Sequence, residues 1–141
     1  MYQVDKRLQL GIEYNPLANE VGPLVNYMVA FEDKNWPMIN IGTSSDRIGT
    51  PPGPQSYYVT FSKTFADAAV APYVSLSYSE SERGFTIPFG ANIFLDKNWV
   101  LLPMYDGRKM HLLLTYRAEK FSVSLIWVWL KHPGIGLSWK L

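Results

Sequence analysis

Apolar and polar residues alternate with a period of two along nearly the whole chain. That spacing sends successive side chains to opposite faces of a β-strand and leaves little room for helices. In the first such segment Leu8, Leu10, Ile12 and Tyr14 oppose Arg7, Gln9, Gly11 and Glu13, and in the next Val25, Tyr27, Val29 and Phe31 oppose Asn26, Met28, Ala30 and Glu32. The pattern continues through Ile39–Thr43, Tyr57–Phe61, Val74–Tyr78, Ile87–Leu95, Trp99–Pro103, Met110–Tyr116, Phe121–Trp129 and Ile135–Leu141. It predicts about ten strands, with eight as the smaller option, close to the length a tilted strand needs to cross a bilayer. Only Phe65–Val70 reads as a turn of helix.

Turn chemistry constrains the registers. Asp-Lys-Asn-Trp occurs at residues 33–36 and again at 96–99. A three-residue Asp-Lys-Asn loop reads as a type I turn followed by Asn in the left-handed region. It pairs Val29 with Ile39 and Tyr27 with Ile41, and in the second copy Ile93 with Leu101 and Phe89 with Tyr105. Asp106-Gly107 reads as a two-residue hairpin, pairing Leu101 with Leu112 and Pro103 with Met110. In all three hairpins the apolar faces coincide, whereas a slip of one residue would mix them.

Alternation does not say which face is covered; composition does. Aromatics are 15% of the chain but charged residues only 18%, against about 25% charge in an ordinary soluble domain. Most of the charge lies in the expected loops, and the polar stripes consist of Ser, Thr, Asn, Gly and Tyr with very few Lys. A soluble barrel coats its outside with Lys and Glu. Charge-free apolar stripes ending in Tyr14, Phe31, Tyr57, Tyr78, Trp99, Tyr116, Phe121, Trp129 and Trp139 match instead a lipid-facing band with aromatic girdles. The expected lipid-facing set is Leu8, Leu10, Ile12, Val59, Phe61, Leu76, Phe89, Ile93, Leu112, Leu114, Leu125 and Trp127. No run of about 18 apolar residues occurs, so a membrane-spanning helix is not expected.

Taken together, these stripes and turns resemble the small up-and-down outer-membrane β-barrels of Gram-negative bacteria. The likeness is one of pattern over nearly the whole length; members typically end in an aromatic residue, and this chain ends in Leu141. The resemblance implies a closed antiparallel transmembrane barrel over residues 1–141 as one domain, monomeric, placed in the bacterial outer membrane by the insertion machinery. It further implies periplasmic termini and Asp-Lys-Asn turns, with extracellular loops at Asn15–Pro23 and Ser45–Gln55. An export signal is then expected, and the polar start Met1-Tyr2-Gln3-Val4-Asp5-Lys6 is not one.

Several functions are not expected. Net charge is +1 with no Lys/Arg block, which gives no footprint for nucleic acid. There is no cysteine, hence no disulfide or thiolate metal site, and no metal cluster or nucleotide fingerprint points to a cofactor. Three groups remain. The Gly- and Pro-rich loop Gly42–Pro54 offers Ser44, Ser45, Asp46 and Arg47 as a recognition surface. Arg7, Glu13, Glu32, His111 and Arg117 on the polar face form an expected network inside the barrel, where unpaired charge is costly. His111 with Ser44 and Glu13 has the residue types of a hydrolytic triad, but no local motif surrounds it. The resulting expectation is a non-enzymatic envelope protein with a structural, adhesion or ligand-contact role. The alternatives are a soluble calycin-like barrel holding a small apolar ligand and a lipid-modifying outer-membrane enzyme.

Overall fold

A computed structural model describes residues 1–15, 20–46 and 53–139. Its strands are β1 (Tyr2–Gln3), β2 (Leu8–Asn15), β3 (Glu20–Ala30), β4 (Met38–Ser45), β5 (Gln55–Ser62), β6 (Val70–Ser79), β7 (Gly84–Thr86), β8 (Phe89–Phe94), β9 (Trp99–Tyr105), β10 (Met110–Arg117), β11 (Phe121–Val128) and β12 (His132–Trp139). They form one antiparallel, up-and-down sheet in the order β1-β2-β3-β4-β5-β6-β8-β9-β10-β11-β12, with β7 on β6. Each of the ten expected strands is present. β1 and β7 are additional, and the expected strand from Ile87 to Leu95 is shortened to β8 because Pro88 has no N–H to give to a ladder. The turn of helix at Phe65–Val70 is a short 3-10 turn over Ala66–Ala68, closed by left-handed Ala69. The expected barrel is thus observed as an open-ended order: among the described residues no pairing joins β1 to β12. No helix among them is long and apolar enough to cross a membrane, which says nothing of strands.

The chain divides into two compact units, Met1–Ser62 with Ser75–Ile87, and Lys63–Val74 with Pro88–Leu141. In the first, the β3–β4 register pairs Tyr27 with Ile41 as expected, but Ile39 meets Ala30 instead of Val29 because a bulge intervenes between Met28 and Ala30. The reason lies on β2's side: Arg7 Nη1 donates to the carbonyls of Met28 (2.9 Å) and Val29 (2.7 Å), holding outward the groups that a bulge removes from the ladder. Amides form a ladder over the polar face. Gln9 Nε2 donates to Gln3 at 3.3 Å, Asn26 Nδ2 to Gln9 at 3.2 Å and Asn40 Nδ2 to Asn26 at 2.7 Å. Hydroxyls continue it on β5 and β6, with Ser56–Ser77 at 2.8 Å and Thr60–Ser75 at 2.7 Å.

In the second unit Ile93–Leu101 and Phe89–Tyr105 pair as expected. The β9–β10 hairpin does not follow the expected register. Met110 pairs with Tyr105, Leu112 with Pro103 and Leu114 with Leu101, so the loop is Asp106–Lys109 and the register lies two residues away. A slip of two keeps every side chain on its face, which is why face matching could not detect it.

One aspartate device builds the turns in both units. Asp33 Oδ1 accepts the N–H groups of Asn35 (2.7 Å) and Trp36 (2.9 Å), Asp96 Oδ1 those of Asn98 (2.6 Å) and Trp99 (2.8 Å), and Asp106 Oδ1 those of Arg108 (2.8 Å) and Lys109 (2.7 Å). Asp5 does the same for Arg7 and Leu8. With the turn amides satisfied this way, neither Asn35 nor Asn98 adopts the left-handed conformation expected of it.

The two faces of the strands differ in the sense the sequence suggests. Ser56, Ser75, Ser77, Ser79, Thr86 and His111 are buried, whereas Ala71 and Val100 alone represent buried apolar side chains among the described residues. Leu10, Phe61, Leu76, Phe89, Leu125 and Trp127 are exposed, and Ile12 reaches 76%. Leu8, Val59, Ile93, Leu112 and Leu114 are half-buried. Most folds invert this distribution.

Candidate functional site

Two neighbouring-strand pairs show how the polar face accommodates large rings. Gly42 on β4 faces Tyr58 on β5, and Gly90 on β8 faces Tyr73 on β6. A Cβ at Gly42 would meet the Val25 carbonyl oxygen and stand 2.6 Å from the Tyr58 hydroxyl; at Gly90 it would stand 2.7 Å from the Pro103 carbonyl oxygen and 2.9 Å from the Tyr73 ring. Glycine here provides room for the tyrosine of the next strand, the arrangement by which an aromatic covers a bare backbone. Both pairs were legible as polar-face residues, but their partnership depended on register.

The described ends of the expected recognition loop are tied down in the first unit. Ser44 and Ser45 are the last residues of β4, opposite Ser56 and Gln55, and Ser44 Oγ donates to the Ser45 carbonyl at 3.1 Å. Asp46 Oδ2 accepts from Ser79 Oγ (2.6 Å) and the Ser81 N–H (3.2 Å), and Ser79 Oγ accepts the Glu82 N–H. Glu80 returns the clamp, accepting the Gln55 N–H and the Tyr57 hydroxyl, each at 2.8 Å. The Gln55 amide first and the Tyr57 hydroxyl second hold the Glu80 carboxyl below the ordinary value. Arg47, the fourth residue of that expected surface, lies outside the described residues, as do 16–19 of the first long loop and the terminal Lys140 and Leu141.

Of the five residues expected to form an internal network, His111 is buried, at 4% exposure. Its Nε2 lies 2.8 Å from Asp106 Oδ2. Burial pushes Asp106 upward, but the amides of Lys109 and Arg108 together with the His111 ring outweigh it and leave the carboxyl below its usual range. Asp106 is therefore the partner of His111, five residues away across its own hairpin. Arg7, Glu13, Glu32 and Arg117 are exposed; Arg7 lies 5.0 Å over the Phe31 ring and serves the β3 bulge, and the backbone of Arg117 pairs with Asn98. The triad residues divide between the units: His111 belongs to the second, Ser44 and Glu13 to the first.

A groove of about 530 Å³ opens on the exposed apolar face of the first unit, lined by Tyr27, Ile41, Tyr57, Val59, Leu76 and Phe85 among others. In the second unit the turn between β11 and β12, expected between the stripes ending at Trp129 and beginning at Ile135, carries both charge and strain. Lys131 N–H donates to the Val128 carbonyl (3.0 Å), and Trp129 and Leu130 both have positive φ, 54° and 56°. Such a turn favours Gly or Asn; bulky residues there cost about 1–2 kcal/mol each. Lys109 Nζ stands 5.9 Å from the Trp129 ring, and His132 packs its edge on that ring at 5.8 Å. Among the described residues no group of three or more His, Asp or Glu could hold a metal ion. Comparison with known protein families, curated proteins and solved structures finds no match.

Proposed function

We propose that the chain is a bacterial outer-membrane β-barrel protein without catalytic activity, its sheet closed into a barrel, acting in envelope structure, adhesion or ligand contact. The observation that carries this reading is the inverted burial: serine and threonine are covered while leucine, isoleucine, phenylalanine and tryptophan stand on the open face. In water such a surface would associate or precipitate; against acyl chains it is the favourable one.

Dimensions agree. The eight residues of β11 extend about 26 Å at roughly 3.3 Å per residue. Tilted by about 40°, they cover roughly 20 Å, near the apolar band of about 25 Å in such barrels. Aromatic pairs stand toward the strand ends, with Trp99–Tyr116 at 5.1 Å and Phe121–Trp139 at 5.6 Å on one side and Phe89–Tyr105 at 5.3 Å on the other. The soluble calycin-like alternative requires an apolar interior, and the buried hydroxyls argue against it. A lipid-modifying role would need a nucleophile beside His111, whose recorded partner is Asp106.

The test is behaviour in detergent. The protein should float with phospholipid vesicles after refolding and migrate differently on a gel before and after boiling. A monodisperse monomer in detergent-free buffer would refute the proposal.

A further inference from the structure

The second unit carries its charge unevenly. Arg108 and Lys109 sit in the β9–β10 turn and Lys131 in the β11–β12 turn, all exposed. The β10–β11 register, with Leu112 opposite Trp127, brings both turns to the same strand ends, and the Lys109–Trp129 contact joins them. Against these three cations stands Asp106, which leaves two net positive charges. Its carboxylate holds the turn together, Oδ1 accepting the Arg108 and Lys109 amides and Oδ2 lying against His111. Immediately beside them are exposed Trp129, Leu130 and Met110 and the apolar stripe of Leu125 and Ile135. Two large apolar side chains are held at a strained tip, where Gly or Asn would be free of strain, and strain of this kind concentrates at sites of function.

We propose that the two turns together bind the phosphate of an anionic amphiphile, with Arg108, Lys109 and Lys131 around the phosphate and Trp129 and Leu130 against the first methylenes of its chains. Charge and grease in one patch fit a phosphorylated lipid headgroup better than a bare anion, which would use only the cations. The choice of a lipid rests on the lipid-facing reading of the strands proposed above.

The test uses dihexanoyl phosphatidic acid, soluble as a monomer, titrated onto the full chain in uncharged maltoside micelles or in buffer, with inorganic phosphate as the second arm. Binding should saturate, and joint replacement Arg108→Gln, Lys109→Gln and Lys131→Gln should weaken it by about tenfold or more. Lys97→Gln with Lys120→Gln, at the opposite strand ends, should leave it unchanged. Trp129→Ala should weaken the lipid but not inorganic phosphate. All these positions are exposed, and single replacement of Lys131 serves if the triple variant fails to fold. Equal affinity of the triple variant, or an equal loss in the Lys97/Lys120 control, overturns the site; inorganic phosphate binding as tightly as the lipid overturns the amphiphile. Failure of the site in a protein that inserts into vesicles leaves the membrane proposal standing, whereas lipid binding by a detergent-free soluble chain keeps the site and rejects the membrane.

Discussion

Single residues decide whether the polar face can close over its tyrosines. Gly42→Ala places a methyl against the Val25 carbonyl and the Tyr58 hydroxyl; since a backbone atom cannot swing aside, the expected loss is about 1–3 kcal/mol, read as a lower midpoint in urea. Gly90→Ala should behave alike against Pro103 and Tyr73. At the turns, Asp5, Asp96 and Asp106 all have carboxyls below the usual range; backbone amides are the foremost cause for Asp5 and Asp96, while for Asp106 the amides and His111 overcome the upward push of burial. A depressed folded pKa means that the contribution is full above the unfolded value, about 3.9, and disappears as pH falls through the lower folded value. Amide exchange at Arg108 and Lys109 should accordingly accelerate below about pH 4. Asp106→Asn should abolish that acid dependence, and an unchanged profile in the variant would assign it to another group.

At the scale of the element, the β3 bulge tests a specific bond set. Arg7→Ala removes the donor to the Met28 and Val29 carbonyls in an exposed setting, so the expected cost is about 1 kcal/mol or less, with protection lost locally at the start of β2 rather than globally. The alternation made strand existence, strand faces and two hairpin registers legible, because parity is all that those properties need. It could not reveal the Val29 bulge, which is held by an arginine just before β2, nor the two-residue shift at Asp106–Lys109, which leaves parity intact. The Asp-Lys-Asn repeat was read correctly as a reused turn, but the wrong residue was given the work: Asp accepts two amides, and Asn has no special conformation. Asp106 as the partner of His111 required the three-dimensional hairpin. A turn between the stripes ending at Trp129 and beginning at Ile135 was expected, but not a tip at Trp129-Leu130, since those residues are ones that such turns avoid.

For the whole molecule, the proposal reduces to what touches the apolar face. Leu125→Lys separates the two environments: a lysine among lipid chains near midplane should cost about 2–4 kcal/mol, while on a water-facing surface the change should fall within about 0.5 kcal/mol. Refolding yield into vesicles reads the difference. The most direct measurement exploits the absence of cysteine from the sequence. Single nitroxide labels at Leu76→Cys and Leu125→Cys, in protein refolded into phosphatidylcholine vesicles, would report collisions with oxygen and with a water-soluble nickel chelate. Labels at both positions relaxed by oxygen and shielded from nickel are the result expected here; labels relaxed freely by nickel would place these leucines in water and contradict the account.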